Sequence, residues 1–322
     1  MAQPENKLYR ALTDAGIAPQ ALHPNAPMSR YTSFRIGGPA DLLMDTATPE
    51  NIAVALRIAR EENVPILWIG NGSNLLVRDG GIRGLVLRIA STASHIQIVD
   101  QDSDRMTLSA FAGISLASLA AFALAQGLCG LAELSGIPGT LGGGALMNAG
   151  AYGASLSDVI QSVEGVRFAD GAAFILSGDA LCYDYRTSAL MDMDAAITRV
   201  TLSLPRGDAT AIGARMRELA IARREKQPLE LPSAGSTFKR PHGDFAARLI
   251  DACGLKGLSV GGAQVSEKHA GFIVNRGGAT ASDVLSLMQR VQERVLAETG
   301  VQLEPEIRIV GEDAWPREGG SA

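Results

Sequence analysis

The sequence predicts an α+β fold in three consecutive lobes, residues 1–90, 91–208 and 209–322. Three observations carry this prediction. Strand-like apolar runs and helical runs interleave along the chain, as separate α+β lobes require. Two strand pairs meet across short polar turns, the mark of antiparallel hairpins. Glycine, at 36 of 322 residues, stands at about 11% against an average near 7%, so tight turns or backbone packed against a ligand are frequent. Hydrophobic residues at 46% and charged residues at 20% belong to a folded chain that can bury more than one core. A net charge of -5 argues against a nucleic-acid or anionic-membrane partner.

Taken in order, the N-terminal stretch "MAQPENKLYRALTDAG" has no apolar core and is not a secretory signal, so a cytoplasmic location is expected. In "TPENIAVALRIAREENVP" Thr48 is the N-cap, Pro49 opens the helix, and Ile52, Leu56 and Ala59 share its apolar face. The runs "ILWIGNGSNLLV" and "LVLRIA" read as strands around a turn. "HIQIV" and "MTLSAFAG" flank the polar loop "DQDSDR" as two antiparallel strands. A helix starts near Ser115; its run "LASLAAFALAQGLCGLA" is broken by Gln126 and Gly127, short of the roughly 18–20 apolar residues of a membrane helix, and reads as buried.

Further on, "VEGVRFADGAAFIL" turns at Asp170-Gly171 as a hairpin, and "AAITRVTLSLP" is another strand. A helix over "AIGARMRELAIARREKQP" stops ahead of Pro228. In the third lobe "DFAARLIDACG" and "TASDVLSLMQRVQERVLAETG" are helices, the second running from Thr280 to Gly300, while "HAGFIVN" and "EIRIVG" are strands. The tail "EGGSA" is expected to fray. Cys129, Cys182 and Cys253 are odd in number and more than fifty positions apart, which predicts buried reduced thiols; no metal site is expected.

Two glycine segments can carry chemistry. "SGIPGTLGGGALMNAGAYG", 135–153, has seven glycines in nineteen residues and no charge, so main-chain amides can approach a phosphate or a flat ring. No Gly-Lys-Ser/Thr follows, which excludes a P-loop. "GNGSNL", 70–75, nearly matches the dinucleotide fingerprint, but Leu75 replaces the third glycine and "LLV" continues as a strand.

Seven ordered segments together resemble the UDP-N-acetylenolpyruvoylglucosamine reductase family: "YTSFRIGGPADLL", "PILWIGNGSNLLVRDGGIRGLVLRI", "GLAELSGIPGTLGGGALMNAGAYG", "YDYRTSAL", "AGSTFKRP", "GGAQVSEKHAGFIVN" and "LEPEIRIVG". The resemblance spans about residues 30–311. It implies a vanillyl-alcohol-oxidase-like FAD-binding fold, with two α+β lobes holding FAD non-covalently and a C-terminal α+β lobe for substrate. The implied activity is reduction of UDP-N-acetylglucosamine enolpyruvate to UDP-N-acetylmuramate in peptidoglycan synthesis. Hydride passes from NADPH to FAD, then from flavin N5 to the enolpyruvyl double bond. No nucleic-acid, membrane or obligate protein partner is implied.

The resemblance also distributes roles. Gly70, Asn71, Gly72, Ser73, Asn74 and Leu75 would line FAD. So would Ser135, Gly136, Pro138, Gly139, Thr140, Gly142 and Gly143, then Asn148, Gly150, Ala151, Tyr152 and Gly153, with amides on the pyrophosphate and side-chain contacts from Asn71, Asn74 and Tyr152. The catalytic set is Arg186, Ser236 and Glu306. Arg186 can grip the substrate carboxylate through two N–H groups, which lysine cannot do. Glu306 orients that carboxylate or shares a proton with the enolate; Glu304 competes for the role, and the glutamate after proline is preferred. Ser236 supplies the proton, with Lys226 the cation that makes its alkoxide accessible. Lys239, Arg240 and His269 would face the diphosphate. The fifty positions from Arg186 to Ser236 match the shorter of two family types, which lacks the loop tyrosine that covers substrate; Arg240 stands where the longer type has asparagine.

Two other classes fit these residues less well. An FAD oxidase of the same fold class frequently attaches flavin through histidine, yet none of His23, His95, His242 and His269 lies in a glycine segment. A non-catalytic flavin- or nucleotide-sugar-binding module would have no need of Arg186, Ser236 and Glu306 together.

Overall fold

The computed structural model describes residues 7–46, 48–90 and 96–313. Met1–Asn6, His95 and the "EGGSA" tail lie outside the described residues.

Helix α1 (Lys7–Asp14) packs on α2 (Pro49–Glu61). The side chain of Thr48 accepts from Asn51 N at 3.3 Å, and Ile52, Leu56 and Ala59 are buried, as the spacing predicts. Strands β1 (Leu22–Pro27), β2 (Pro39–Thr46), β3 (Ile66–Ile69), β4 (Leu75–Val77) and β5 (Ile82–Ile89) follow in the first third of the chain. They do not form one sheet. The order is β1-β2-β5-β3, with β3 and β5 parallel, whereas β4 leaves to pair elsewhere.

A five-stranded antiparallel sheet is built from β6 (Ile96–Gln101), β7 (Arg105–Phe111), β10 (Ile160–Arg167), β11 (Ala173–Ser177) and β12 (Ala195–Pro205). Its order is β11-β10-β12-β7-β6, and both sequence-predicted hairpins are present. Gly171 takes φ +71° at the β10–β11 turn. Helix α3 (Leu116–Ala125) starts at the Ser115 cap and stops at Gln126. It buries Leu116, Leu119, Ala120 and Ala123 but exposes Ala117, Ser118 and Ala121, so the expected fully buried helix is a surface helix. Alanines tolerate this because each exposes little apolar area.

The glycine-rich segment is more regular than its composition suggests. Thr140 caps a short helix, α4 (Leu141–Leu146), which packs on β12. Strands β8 (Gly150–Ala151) and β9 (Ala154–Ser155) then form a minute hairpin. Its two loop residues, Tyr152 and Gly153, both have positive φ, +53° and +89°, as a type I′ turn demands.

The C-terminal third contains α5 (Ala209–Lys226), β13 (Ser233–Ser236), α6 (Ala246–Ala252), β14 (Ser259–Val260), β15 (Ala263–Val265), β16 (Phe272–Asn275), α7 (Ala281–Thr299) and β17 (Arg308–Val310). Strands β13-β16-β15-β14 form an antiparallel sheet. β17 pairs in parallel with β4, Leu75 opposite Arg308 and Val77 opposite Val310. Helix α7 has a Thr280–Asp283 capping box and ends at Gly300, φ +73°. Its Val284, Leu287, Met288, Val291 and Val295 share a core with α6 and with Phe34, Ile36 and Leu76. Burying each such side chain contributes about 1.5–3 kcal/mol.

By contact the chain gathers into two compact units, neither a single stretch of sequence. The first is Met1–His23, Leu43–Asn71 and Leu85–Arg223; the second is Pro24–Leu42, Gly72–Gly84 and Arg224–Ala322. All three cysteines are free, but only Cys253 is buried. Cys182 is exposed at φ +44° and Cys129 is intermediate, which corrects the expectation of three buried thiols. Burial, chiefly, raises the pKa of the Cys253 thiol. Among the described residues no helix is long and apolar enough to cross a membrane. None of their His, Cys, Asp and Glu side chains cluster in threes to hold a metal ion.

Candidate active site

In the first unit the glycine segment is shaped by close packing. A Cβ at Gly70 would lie 2.2 Å from Thr140 Oγ1, and one at Gly142 would lie 2.8 Å from the Ala112 Cβ. These glycines are therefore required by neighbours, and they hold the loop after β3 against the start of α4. The Thr140 hydroxyl accepts from Gly143 N at 3.3 Å. Asn148, buried at φ +43°, donates through Nδ2 to Asp184 O at 3.0 Å and accepts from Ser157 N at 3.0 Å. It ties the glycine segment to the "YDYR" turn.

Arg186 leaves that turn with φ +56°. Its Nη2 donates to Gly150 O at 2.8 Å and its Nη1 to Asn148 O at 3.3 Å. The guanidinium carbon also lies 4.9 Å from the ring centroid of Tyr185. Of the non-glycine described residues at positive φ, Asn148, Tyr152 and Arg186 all belong to the sequence-predicted set. Backbone strain of this kind costs about 1–3 kcal/mol per residue and concentrates where surrounding structure fixes a functional group. A residue the sequence reading passed over, Arg223 of α5, donates to Gly136 O and sits 5.9 Å from the Tyr152 ring centroid. It clasps both ends of the glycine segment, and its position one helical turn before Lys226 was the available signal.

In the second unit Ser236 ends β13 and stands opposite Phe272 of β16. It is exposed and follows Gly235 at φ +78°. Thr237, buried, accepts at its hydroxyl from Ile273 N at 3.0 Å and at its carbonyl from Glu306 N at 2.8 Å. Lys239 N donates to Glu304 O at 2.8 Å. The chain from Ser236 to Lys239 therefore lies between β16 and the "LEPE" segment, which brings Ser236 and Glu306 onto neighbouring extended strands. On the other side of Glu306, Asn74 Nδ2 donates to Glu306 O at 3.1 Å, and Asn74 O accepts from Arg308 N at 2.9 Å.

The two glutamates differ in surroundings. Glu304 pairs with Lys239 at 3.4 Å, and its side chain is 71% exposed, a pair worth about 0–1 kcal/mol. Glu306 is half-buried. Lys226 is exposed at the end of α5, a turn held by Lys268 Nζ, which donates to Arg224 O at 2.8 Å. His269 packs edge-on against Phe272, with ring centroids 5.0 Å apart, and its Nδ1 accepts from Gly271 N at 3.2 Å. Burial lowers its pKa, so it is a neutral Nε2–H donor near neutral pH rather than a cation. Arg240 stacks on Phe245 at 4.6 Å. Arg308, two residues beyond Glu306, is a half-buried guanidinium whose pKa burial lowers.

The main-chain N–H groups of Gly72, Ser73 and Asn74 donate to no acceptor among the described residues. Three successive amides of this kind form an anion-binding row. These residues fit the pyrophosphate of a dinucleotide cofactor held by main-chain amides. Arg186 belongs to the first unit and Ser236 with Glu306 to the second.

Comparison with known proteins supports this chemistry. Residues 40–177 match the model of an FAD-binding domain, and residues 227–310 match the UDP-N-acetylenolpyruvoylglucosamine reductase C-terminal domain. The chain is 47% identical over 287 residues to a UDP-N-acetylenolpyruvoylglucosamine reductase of Clostridium botulinum (strain Hall), covering 89% of this chain and 92% of that protein. It is 46% identical over 291 residues to one of Caldanaerobacter subterraneus subsp. tengcongensis, covering 90% and 94%. The crystal structure of the reductase from Thermus caldophilus is 39% identical and superposes with a TM-score of 0.73, covering 90% of this chain and 97% of that one.

Proposed function

The chain belongs to the UDP-N-acetylenolpyruvoylglucosamine reductase family, and from that premise we propose which of its residues carry the reaction. The activity is the NADPH-dependent, FAD-mediated reduction of UDP-N-acetylglucosamine enolpyruvate to UDP-N-acetylmuramate, a step of peptidoglycan precursor synthesis and hence of cell-wall biogenesis. The fold is the α+β, vanillyl-alcohol-oxidase-like FAD-binding fold with a C-terminal substrate domain. Bound FAD would supply the redox chemistry that links NADPH to the enolpyruvyl double bond.

Hydride addition at one carbon of that bond drives negative charge onto the adjoining carboxylate. Arg186 meets it with two N–H groups, an arrangement that stabilises the developing charge more than the resting one. Glu306 orients the same carboxylate. Ser236 delivers its hydroxyl proton to the second carbon and becomes an alkoxide, which the Lys226 ammonium stabilises until solvent restores the proton. Lys239 and His269 serve the diphosphate end, Lys239 by charge and His269 as a neutral donor. The amides of 70–75 would hold the cofactor pyrophosphate, and the segment from Ser135 to Gly153 would line the rest of the cofactor. Lobes 1–90 and 91–208 would serve the cofactor and 209–322 the substrate. A cytoplasmic location, where NADPH is the reductant, and action without an obligate protein partner complete the reading.

The observation that carries the assignment is the main-chain bond from Glu306 N to Thr237 O, 2.8 Å, because it sets the Ser236 and Glu306 segments side by side. The test is Ser236→Ala under anaerobic conditions. Bleaching of the flavin band by NADPH should persist while recovery on adding the enolpyruvyl substrate collapses. Equal loss of both half-reactions would remove Ser236 from the proton-donor role.

A further inference from the structure

Glu306 lies between the antiparallel bridge of Phe238 with Pro305 and the first residue of β17. Its N–H is fixed by Thr237 O at 2.8 Å and its carbonyl by the side chain of Asn74 at 3.1 Å. Asn74 then accepts from Arg308 N at 2.9 Å, and the parallel pairing of β4 with β17 begins at the next residue, Leu75 opposite Arg308. One asparagine thus spans Glu306 to Arg308, with its amide on one and its carbonyl on the other. Only a side chain with an N–H₂ group two bonds beyond Cβ can do this; serine is shorter, and aspartate would set an acceptor against an acceptor. Both peptide bonds flanking Glu306 Cα are therefore held from outside the strand, and with them the direction of Cα–Cβ.

We propose that Asn74 is a positioning residue for Glu306: its side-chain amide holds the Glu306 backbone so that the carboxylate meets the substrate in register. The proposal rests on the role given to Glu306 above. The Asn74 main-chain amide remains in the unpaired row assigned above to the cofactor pyrophosphate, so one residue links order in that loop to the place of the carboxylate. Displacement of a reacting group by about 1 Å can cost on the order of a hundredfold in rate, so losing this bond should slow the substrate half-reaction by about tenfold to a hundredfold.

The experiment uses the FAD-loaded protein and the variants Asn74→Ala, Asn74→Asp, Glu306→Gln and Asn74→Ala/Glu306→Gln. Asn74→Asp preserves volume, so it reports on the lost donor if the alanine variant folds poorly. Flavin reduction by NADPH and reoxidation by UDP-N-acetylglucosamine enolpyruvate are timed anaerobically, and the FAD dissociation constant is measured on apoprotein by flavin fluorescence. The proposal expects the ratio of reoxidation to reduction rate to fall about tenfold or more in both Asn74 variants, and it expects no further fall when Asn74→Ala is added to Glu306→Gln. Additive losses in the double variant would overturn it. So would a weakened FAD affinity with both half-reactions slowed alike, which would make the side chain a cofactor contact. Unchanged reoxidation in Glu306→Gln alone would overturn the role of Glu306 itself, and that single variant separates the two failures.

Discussion

Arg186 donates to the carbonyl oxygen of Gly150 at 2.8 Å from a backbone at φ +56°, so a cation is held against the glycine segment by strain on one side and a hydrogen bond on the other. Its second contact, Asn148 O at 3.3 Å, needs the width of a guanidinium. Arg186→Lys keeps the charge but cannot span both carbonyls and a substrate carboxylate. The expected result is a loss of about a hundredfold to a thousandfold in the reoxidation half-reaction, with flavin reduction by NADPH much less affected. Anaerobic stopped-flow absorbance of the flavin reads both rates.

Gly70 has no room for a side chain, since its Cβ would sit 2.2 Å from Thr140 Oγ1. Gly70→Ala should destabilise the fold by about 1–3 kcal/mol, the usual cost of overpacking. Thr140→Ala removes the oxygen that Gly70→Ala would strike and, with it, the cap on Gly143, at about 1 kcal/mol. The double variant should lose less than the two single losses combined, because one clash is removed with the atom that causes it. Urea unfolding of the three variants measures this coupling.

His269 carries a lowered pKa, from burial first. The unfolded chain, with an ordinary imidazole near about pH 6.5, then binds more protons than the folded one as pH falls. The contribution of neutral His269 is full above that value and is lost as pH drops below it. Melting temperature should therefore fall more steeply between pH 7.5 and pH 5.5 in the natural protein than in His269→Gln. Parallel curves would show that protonation of His269 is not opposed by folding.

Helix boundaries were the most legible part of the fold. Thr48, Ser115 and Thr280 cap helices as their positions predict, and Gly300 closes α7 in the left-handed conformation. The Asp170-Gly171 hairpin was equally plain. Each of these signals acts within about four residues, through a side-chain oxygen on a nearby amide or a glycine at positive φ. Helix α4 was not legible, because three consecutive glycines oppose a helix by propensity. It forms because Thr140 caps it and because Gly142 must lie flat against Ala112.

The candidate site divides along the same line. Arg186, Ser236 and Glu306 could be named from motif resemblance, and Glu306 was separable from Glu304 only by its place after proline. The pairing of Glu304 with Lys239, the neutral His269, the clasp of Arg223 and the burial of Arg308 needed neighbours distant in sequence.

What the sequence determined by itself was most of the local elements, their caps and turns, and the presence of glycine loops able to accept a phosphate. What only the tertiary structure decided was which distant segments those elements and loops lie against. The pairing of β4 with β17 and the amide of Asn74 on the carbonyl of Glu306 join segments 233 and 232 positions apart. No local pattern announces such a contact. Its free energy comes from burial and hydrogen bonds made after the loop has closed, while the closure cost grows only slowly with loop length and is nearly blind to the residues between.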